Sequence, residues 1–160
     1  MIGIDESGKG DYFGPLVVAA VYVPRESYTE LVRIGVRDSK KVSDVRAIEI
    51  AKHITHSFPH ELIVIGPERY NSLYTQMRNL NRLLAWGHAR ALENLLDRVE
   101  CAVALSDKFG DTRFIENALM EKGRRITLMQ RVRAEEDVSV ASASLVARAT
   151  FLHRLRELSA

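Results

Sequence analysis

The sequence has 160 residues, 46% hydrophobic and 28% charged, with a formal net charge of +2, which suits one soluble globular domain able to bury a core. The longest apolar run, Leu16 to Val23, falls well short of the roughly 20 residues of a membrane span, and Asp5, Glu6 and Lys9 exclude a signal peptide, so a cytoplasmic monomer with no membrane partner is expected. The single Cys101 excludes an internal disulfide, while 17 Arg against 6 Lys lends mild support to phosphate-bearing partners without the basic footprint of a dedicated nucleic-acid binder.

Met1 to Ile4 opens a strand that ends in two adjacent carboxylates, Asp5 and Glu6. Ser7-Gly8-Lys9-Gly10 turns the chain, and Leu16 to Val23 is an unbroken β-favouring run, so a buried hairpin is expected. Two acids at the end of a buried strand lose several kcal/mol of solvation unless something positive holds them. Hard Mg²⁺ is the natural partner, because it prefers carboxylate oxygens and water, and Gly8 and Gly10 let backbone amides approach a phosphate. Adjacent side chains on a regular strand point to opposite faces, so either the strand bends at Glu6 or a main-chain carbonyl completes the site. Gly3 to Lys9 also fits the phosphate-binding pattern G-x-x-x-x-G-K. It lacks the Ser or Thr at position 10, would hold two anions inside the cradle, and is followed by a strand where a helix should be.

Pro24 stops the second strand, and Glu26 to Ile34 reads as a short helix closed by Gly35. Arg37-Asp38-Ser39-Lys40-Lys41 is a polar loop whose lysines suit a phosphate. Ser43 is placed to cap a helix to about Ser57, with Ala47, Ile48, Ala51 and Ile54 on one face, and Pro59 ends it. Leu62 to Ile65 is a third strand, broken by Gly66-Pro67 before a helix carrying Tyr70, Asn71, Leu73 and Tyr74. The two tyrosines, one turn apart, read as core packing in preference to a base-stacking platform.

The clearest helix is Asn79 to Val99, where Leu80, Leu83, Leu84, Gly87, His88, Ala91, Leu92, Leu95, Leu96 and Val99 follow the i, i+3, i+4, i+7 rhythm. His88 falls on that face and reads as a hydrogen-bonded core histidine, since no second His or Cys stands at ligand spacing. Cys101, read as a small buried hydrophobe, precedes the apolar and therefore central strand Ala102 to Ser106. That strand delivers Asp107 at its C-terminal end, where ligands collect in open α/β sheets. Thr112 is placed to cap a helix to Lys122 that Gly123 terminates, and Arg124 to Met129 makes a fifth strand at an edge. A long helix from Val138 to about Leu158 begins with small residues, Ser139, Ala141, Ser142, Ala143 and Ser144. Three acids stand ahead of it, Glu135, Glu136 and Asp137; Asp137 is the natural N-cap, and the residues alone leave open which of the three joins Asp5 and Asp107.

Separated stretches of the chain resemble, in order, the motifs of the ribonuclease HIII family, type 2 ribonucleases H related to ribonuclease HII. Gly3-Ile4-Asp5-Glu6-Ser7-Gly8-Lys9-Gly10-Asp11-Tyr12-Phe13-Gly14-Pro15-Leu16 is similar to the opening signature, and Ser7 and Lys9 stand where ribonuclease HII usually has Ala and Arg. Asp38-Ser39-Lys40 is similar to a second motif, Tyr70-Asn71 through Asn79-Leu80-Asn81 to Ala89 to a third, and Asp107-Lys108-Phe109 to the strand-end Asp. Ala134-Glu135 with Val140 to Ser144 is similar to the last.

The resemblance implies an α/β fold of the ribonuclease H type: a mixed five-stranded sheet, residues 2–6, 15–23, 62–65, 102–106 and 125–129, with helices packed on its faces. It implies an endonuclease that hydrolyses the RNA strand of RNA/DNA hybrids, leaving 5′-phosphate and 3′-hydroxyl ends. Asp5, Glu6, Asp107 and Glu135 would hold two Mg²⁺ ions, with Mn²⁺ as a substitute, about 4 Å apart, one generating the attacking hydroxide and the other stabilising the leaving 3′ oxygen. Ser7, Gly8, Lys9 and Gly10 would test for the 2′-hydroxyl, and Ser39, Lys40, Asn71, Asn79, Asn81 and Ser142 would lie along the hybrid. Ser7 and Lys9 further imply that a run of ribonucleotides is cut and a single embedded ribonucleotide cut poorly. Members usually carry an N-terminal substrate-binding domain, and this chain is expected to be the catalytic domain, residues 1–160, without it. The alternatives are a non-catalytic nucleic-acid-binding module, needing only Lys40, Lys41 and the arginines, and a P-loop nucleotide hydrolase.

Overall fold

The computed structural model describes residues 1–10, 14–37 and 39–159; Asp11, Tyr12 and Phe13 of the opening signature and Asp38 of the second motif lie outside the described residues. Its strands are β1 Ile2–Ser7, β2 Leu16–Tyr22, β3 His60–Ile65, β4 Val103–Asp107 and β5 Thr127–Arg131. They form one mixed sheet in the order β3-β2-β1-β4-β5. The glycine bend folds β2 back antiparallel on β1, and β3 pairs antiparallel with β2. β4 joins β1, and β5 joins β4, in parallel, which requires crossovers that helices supply. The helices are α1 Tyr28–Arg33, α2 Asp44–Ser57, α3 Pro67–Met77, α4 Leu80–Leu96, α5 Arg113–Ala118 and α6 Val138–Ser159.

The period-2 pleat splits the apolar strands between two cores. Val17, Ala19 and Val21 of β2 pack with Ala47, Ile50 and Ile54 of α2 and Ala143 and Ala147 of α6. Ile2, Ile4, Val18 and Ala20 pack on the other side with Ala91, Leu92 and Leu95 of α4. Both central helices need small residues where they cross the sheet. A Cβ on Gly3 would stand 2.1 Å from the Ser139 carbonyl carbon, so the first turn of α6 rests directly on the β1 backbone. On the opposite face Gly87 lets α4 close on Val18.

Local signals set most boundaries. The Ser43 hydroxyl accepts from the Arg46 amide at the start of α2, Pro67 occupies the first turn of α3, and the Asn79 side chain accepts from the Asn81 and Arg82 amides to open α4. Four expectations need correction. Ile50, not Ile48, is the buried isoleucine of α2 beside Ala47, Ala51 and Ile54. α5 ends at Ala118 instead of Lys122, because Glu93 of α4 accepts from the Lys122 and Gly123 amides and draws that segment out of the helix; Asp111, not Thr112, accepts from the Arg113 amide. Arg124 and Arg125 belong to a 3₁₀ turn, Gly123–Arg125, so the edge strand starts only at Thr127, three residues after Arg124. Cys101 is half-buried ahead of β4, its thiol donating to the Val103 carbonyl at 3.1 Å.

Tyr70 and Tyr74 stack with centroids 6.2 Å apart. Tyr70 packs on the Leu16, Ile65, Leu83 and Leu84 cluster, while Tyr74 is exposed. After Gly3 the strand runs on through Ser7 opposite Val17, and the next regular element among the described residues is β2, so the backbone of a P-loop is not there. No helix among the described residues is long and apolar enough to cross a membrane.

Candidate active site

β1 and β4 are parallel neighbours in which Ile4 pairs with Ser106, so the next residues, Asp5 and Asp107, stand side by side. By the pleat they share the α6 face with Gly3, whereas Glu6 shares the α4 face with Ile2 and Ile4. β1 keeps its pairing with β2 through Glu6 and Ser7, so the strand does not break there to bring its two acids together. They meet because the cavity lies at the lip of the sheet, where both faces open into the same space. It has a volume of about 540 Å³ and is lined by Asp5, Glu6, Ser7, Lys9, Ser39, Lys40, Asp107, Lys108, Phe109, Glu135 and Ser144. A slightly larger groove of about 580 Å³ between α4 and α5, around Trp86 and Phe114, is predominantly apolar and gathers no such set of acids.

Each acid is held differently. Asp5 Oδ1 accepts from the Glu6 amide at 2.9 Å. Glu6 Oε2 lies 2.7 Å from His88 Nε2, and His88 Nδ1 lies 2.9 Å from the Ser106 hydroxyl. Asp107 Oδ1 accepts from the Ala134 amide at 3.3 Å, which ties the end of β4 to the 3₁₀ turn Ala134–Glu136 carrying Glu135. Arg133, just before that turn, adopts a left-handed φ of 57°, which reverses the chain between β5 and the turn. The Ser144 hydroxyl donates to Ser39 Oγ at 2.9 Å, joining α6 to the loop that carries Lys40.

Crowding the carboxylates perturbs the ionisation of Asp5, Glu6 and Asp107. Burial pushes the Asp5 carboxyl well above its usual value, with the charges of Glu6 and Asp107 adding to the effect. Burial also pushes Glu6 up, but the hydrogen bond and charge of His88, helped by Lys9, outweigh it and leave Glu6 below its usual value. Asp107 is pushed up to about 6, first by burial and then by the charges of Glu135 and Glu6. Such a site favours a cation. Its donors are hard oxygens without a soft ligand, which fits Mg²⁺ or Mn²⁺. Among the described residues no three His, Cys, Asp or Glu side chains form a ready-made metal cluster.

Of the residues implied to touch substrate, Ser7, Lys9, Ser39 and Lys40 line this cavity. Gly8 and Gly10 lie on the bend with φ of 91° and 80°; the space above Gly8 is filled by the Pro15 carbonyl, and that above Gly10 is open. Four others are elsewhere. Asn71 is exposed on α3, Asn79 is engaged as the α4 cap, and Asn81 packs against Gly110. Ser142 is fully buried with no partner for its hydroxyl among the described residues, so it cannot reach a hybrid; Ser144, on the cavity wall, is the serine of α6 in that position. Among the three neighbouring acids, Glu135 lines the cavity, Glu136 is exposed, and Asp137 caps α6 by accepting from the Ser139 amide at 2.8 Å and its hydroxyl at 2.6 Å. Sequence reasoning overlooked Lys108 and Ser144 and missed the partner of His88. The adjacency of Lys108 to Asp107 and the helical spacing of Ser144 from Val140 and Ala141 were the available signals.

A mixed sheet with acids at the carboxyl ends of two adjacent parallel strands, backed by a long helix, is the ribonuclease H type of fold. Bst-RNase HIII solved in complex with Mn²⁺ superposes with a TM-score of 0.89 at 35% identity, over 99% of this chain and 53% of that one. The family model for ribonuclease HII matches residues 2–160, and the chain belongs to that family. Ribonuclease HIII of Protochlamydia amoebophila is 43% identical over 158 residues, 99% of this chain and 52% of that protein. Ribonuclease HIII of Chlamydia felis is 41% identical over 160 residues, 98% and 53% respectively. The chain thus spans about half the length of the curated relatives it matches.

Proposed function

We propose that the chain carries the catalytic centre of a metal-dependent endonuclease that hydrolyses the RNA strand of RNA/DNA hybrids, leaving 5′-phosphate and 3′-hydroxyl ends. The observation that carries this reading is the convergence of Asp5, Glu6, Asp107 and Glu135, from distant parts of the sequence, on one cavity also lined by Lys9, Lys40 and Lys108. Acids alone would repel a nucleic-acid backbone; acids with lysines on the same walls suit cations and phosphates together. The four carboxylates are assigned to hold two divalent cations, Mg²⁺ or Mn²⁺. When bound, such ions lower the pKa of water and offset charge on the phosphate and the leaving oxygen. Lys9, Lys40 and Lys108 neutralise phosphates flanking the scissile bond, and Ser7, Ser39 and Ser144 offer hydroxyls to the sugar-phosphate chain.

The bend from Ser7 to Gly10 is assigned to read the 2′-hydroxyl, the group that separates RNA from DNA. Ser7 and Lys9 resemble the type HIII signature, and a preference for runs of ribonucleotides over a single one embedded in DNA is assigned with them. The test is incubation of a labelled RNA/DNA hybrid with Mg²⁺, Mn²⁺ or EDTA, beside duplex DNA carrying one ribonucleotide. Cleavage of the hybrid with either metal and none with EDTA is expected; binding without cleavage would reduce the chain to a hybrid-binding module.

A further inference from the structure

α4 brings one polar side chain into the apolar interface beneath the site. His88 is 1% exposed, and both ring nitrogens are engaged, Nε2 by Glu6 Oε2 at 2.7 Å and Nδ1 by Ser106 Oγ at 2.9 Å. Phe109 closes over the ring, centroid to centroid 4.9 Å. A carboxylate oxygen only accepts, so Nε2 carries the proton of its bond, and Ser106 satisfies the other nitrogen. The partners come from the ends of β1 and β4, the two strands that deliver Asp5 and Asp107. A core histidine needs two partners to avoid the cost of burial, and any two polar groups would meet that need. Here one of them is a carboxylate of the cavity, itself only 9% exposed in its side chain.

We propose that His88 is a positioning residue: through its Nε2 hydrogen bond it fixes the rotamer of Glu6, engaging Oε2 and leaving Oε1 for a divalent cation in the cavity. This rests on the metal reading above. Ser106 sets the ring orientation, and Phe109 keeps water from competing for the bond. Removing a partner that orients a metal-binding side chain typically weakens metal binding about 10- to 100-fold.

The test exploits two amides of different length. Gln places its amide nitrogen near the position of Nε2 and can still donate to Glu6, whereas Asn reaches only as far as Nδ1 and Ser106. Mn²⁺ binding is measured without substrate, by electron paramagnetic resonance and calorimetry, on the full chain and on His88→Gln and His88→Asn, with the melting temperature of each metal-free protein. His88→Gln should bind Mn²⁺ within about threefold of the parent and His88→Asn at least tenfold more weakly, with similar metal-free melting temperatures. Equal Mn²⁺ affinity in His88→Asn and the parent overturns the inference and leaves the metal reading standing. Equal weakening in both variants, tracking lost stability, overturns it as well. A parent that takes up no Mn²⁺ overturns both. Should His88→Asn fail to fold, Mg²⁺ titration of the parent labelled with ¹⁵N-histidine decides: the buried Nε2 resonance must shift as the site saturates, and an unmoved resonance sinks the proposal.

Discussion

Asp107 concentrates the electrostatic tension of the site. Its carboxyl ionises near 3.8 in an unfolded chain and near about 6 in the folded one. Because the folded value is the higher, the folded state holds the proton more tightly, and the stability this contributes is complete below about pH 4 and lost as pH rises through about 6. Metal-free protein should therefore melt higher at pH 5 than at pH 7. Asp107→Asn should melt higher than the parent at pH 7 without metal, the gap closing towards pH 4, while hybrid cleavage is lost; calorimetry across pH in EDTA checks the first, and a lower melting temperature at pH 7 would contradict it. The neighbouring acids separate by role. Glu135→Gln should reduce cleavage by orders of magnitude without lowering the melting temperature, because Glu135 lines the cavity and its charge only adds to the repulsion on Asp107. Asp137→Ala should cost about 1 kcal/mol with activity retained, since it removes the cap on Ser139 and the contact with Tyr28. Glu136→Gln should change neither rate nor stability.

α6 does more than cover the sheet. Its first turn sits on Gly3, Ser144 one turn further reaches the cavity, and Arg148 another turn on holds the loop that brings Ser39 and Lys40 to the site. The Arg148 guanidinium donates to the Val42 carbonyl at 2.7 Å and also to the Ser39 carbonyl and the Asp44 carboxylate. One side chain thus ties both ends of the Ser39–Lys41 turn to the start of α2. Arg148→Ala should cost about 1–3 kcal/mol and raise KM for hybrid several-fold with a smaller change in kcat, since the loop is loosened and the acids are untouched. Arg148→Lys should recover little, because an ammonium lacks the planar fork that meets several acceptors at once. Steady-state kinetics and hydrogen exchange of the 39–42 amides measure both effects, and an unchanged KM would free the loop from this role.

For the molecule as a whole, metal binding and folding are coupled. The carboxylates repel one another in the metal-free fold, so Mg²⁺ or Mn²⁺ should stabilise it by mass action, by about 2.7 kcal/mol at a hundred times Kd, and the melting temperature should rise accordingly. Thermal scans against metal concentration check this. Asp5→Asn should abolish the dependence, and melting of the parent that responds to neither Mg²⁺ nor Mn²⁺ would contradict it.

The strands and their apolar faces were legible in the sequence because Leu16 to Val23 and Ala102 to Ser106 are continuous β-favouring runs. α4 was legible because ten residues keep a helical rhythm from Leu80 to Val99. The motifs around Asp5, Asp107 and Glu135 singled out acids that line one cavity, and Asp137 declared itself a cap by standing one residue before an apolar helix. What the chain alone did not decide depends on which surfaces meet. α5 stops at Ala118 because a carboxylate on another helix, Glu93, claims the amides of Lys122 and Gly123. Ser142 and Ser144 are equal as letters and differ by the roll of α6 against β1, which buries one and opens the other to the cavity. Asp5 and Glu6 share a site from opposite faces of an unbroken strand, possible only at the lip of a sheet. His88 read correctly as a hydrogen-bonded core histidine, but its partner lies 82 residues away, and only the order of β1 and β4 beneath α4 brings the ring and Glu6 together. Periodicity and capping are short-range effects and survive in the sequence, whereas contacts between distant segments exist only once helices and strands have chosen their neighbours.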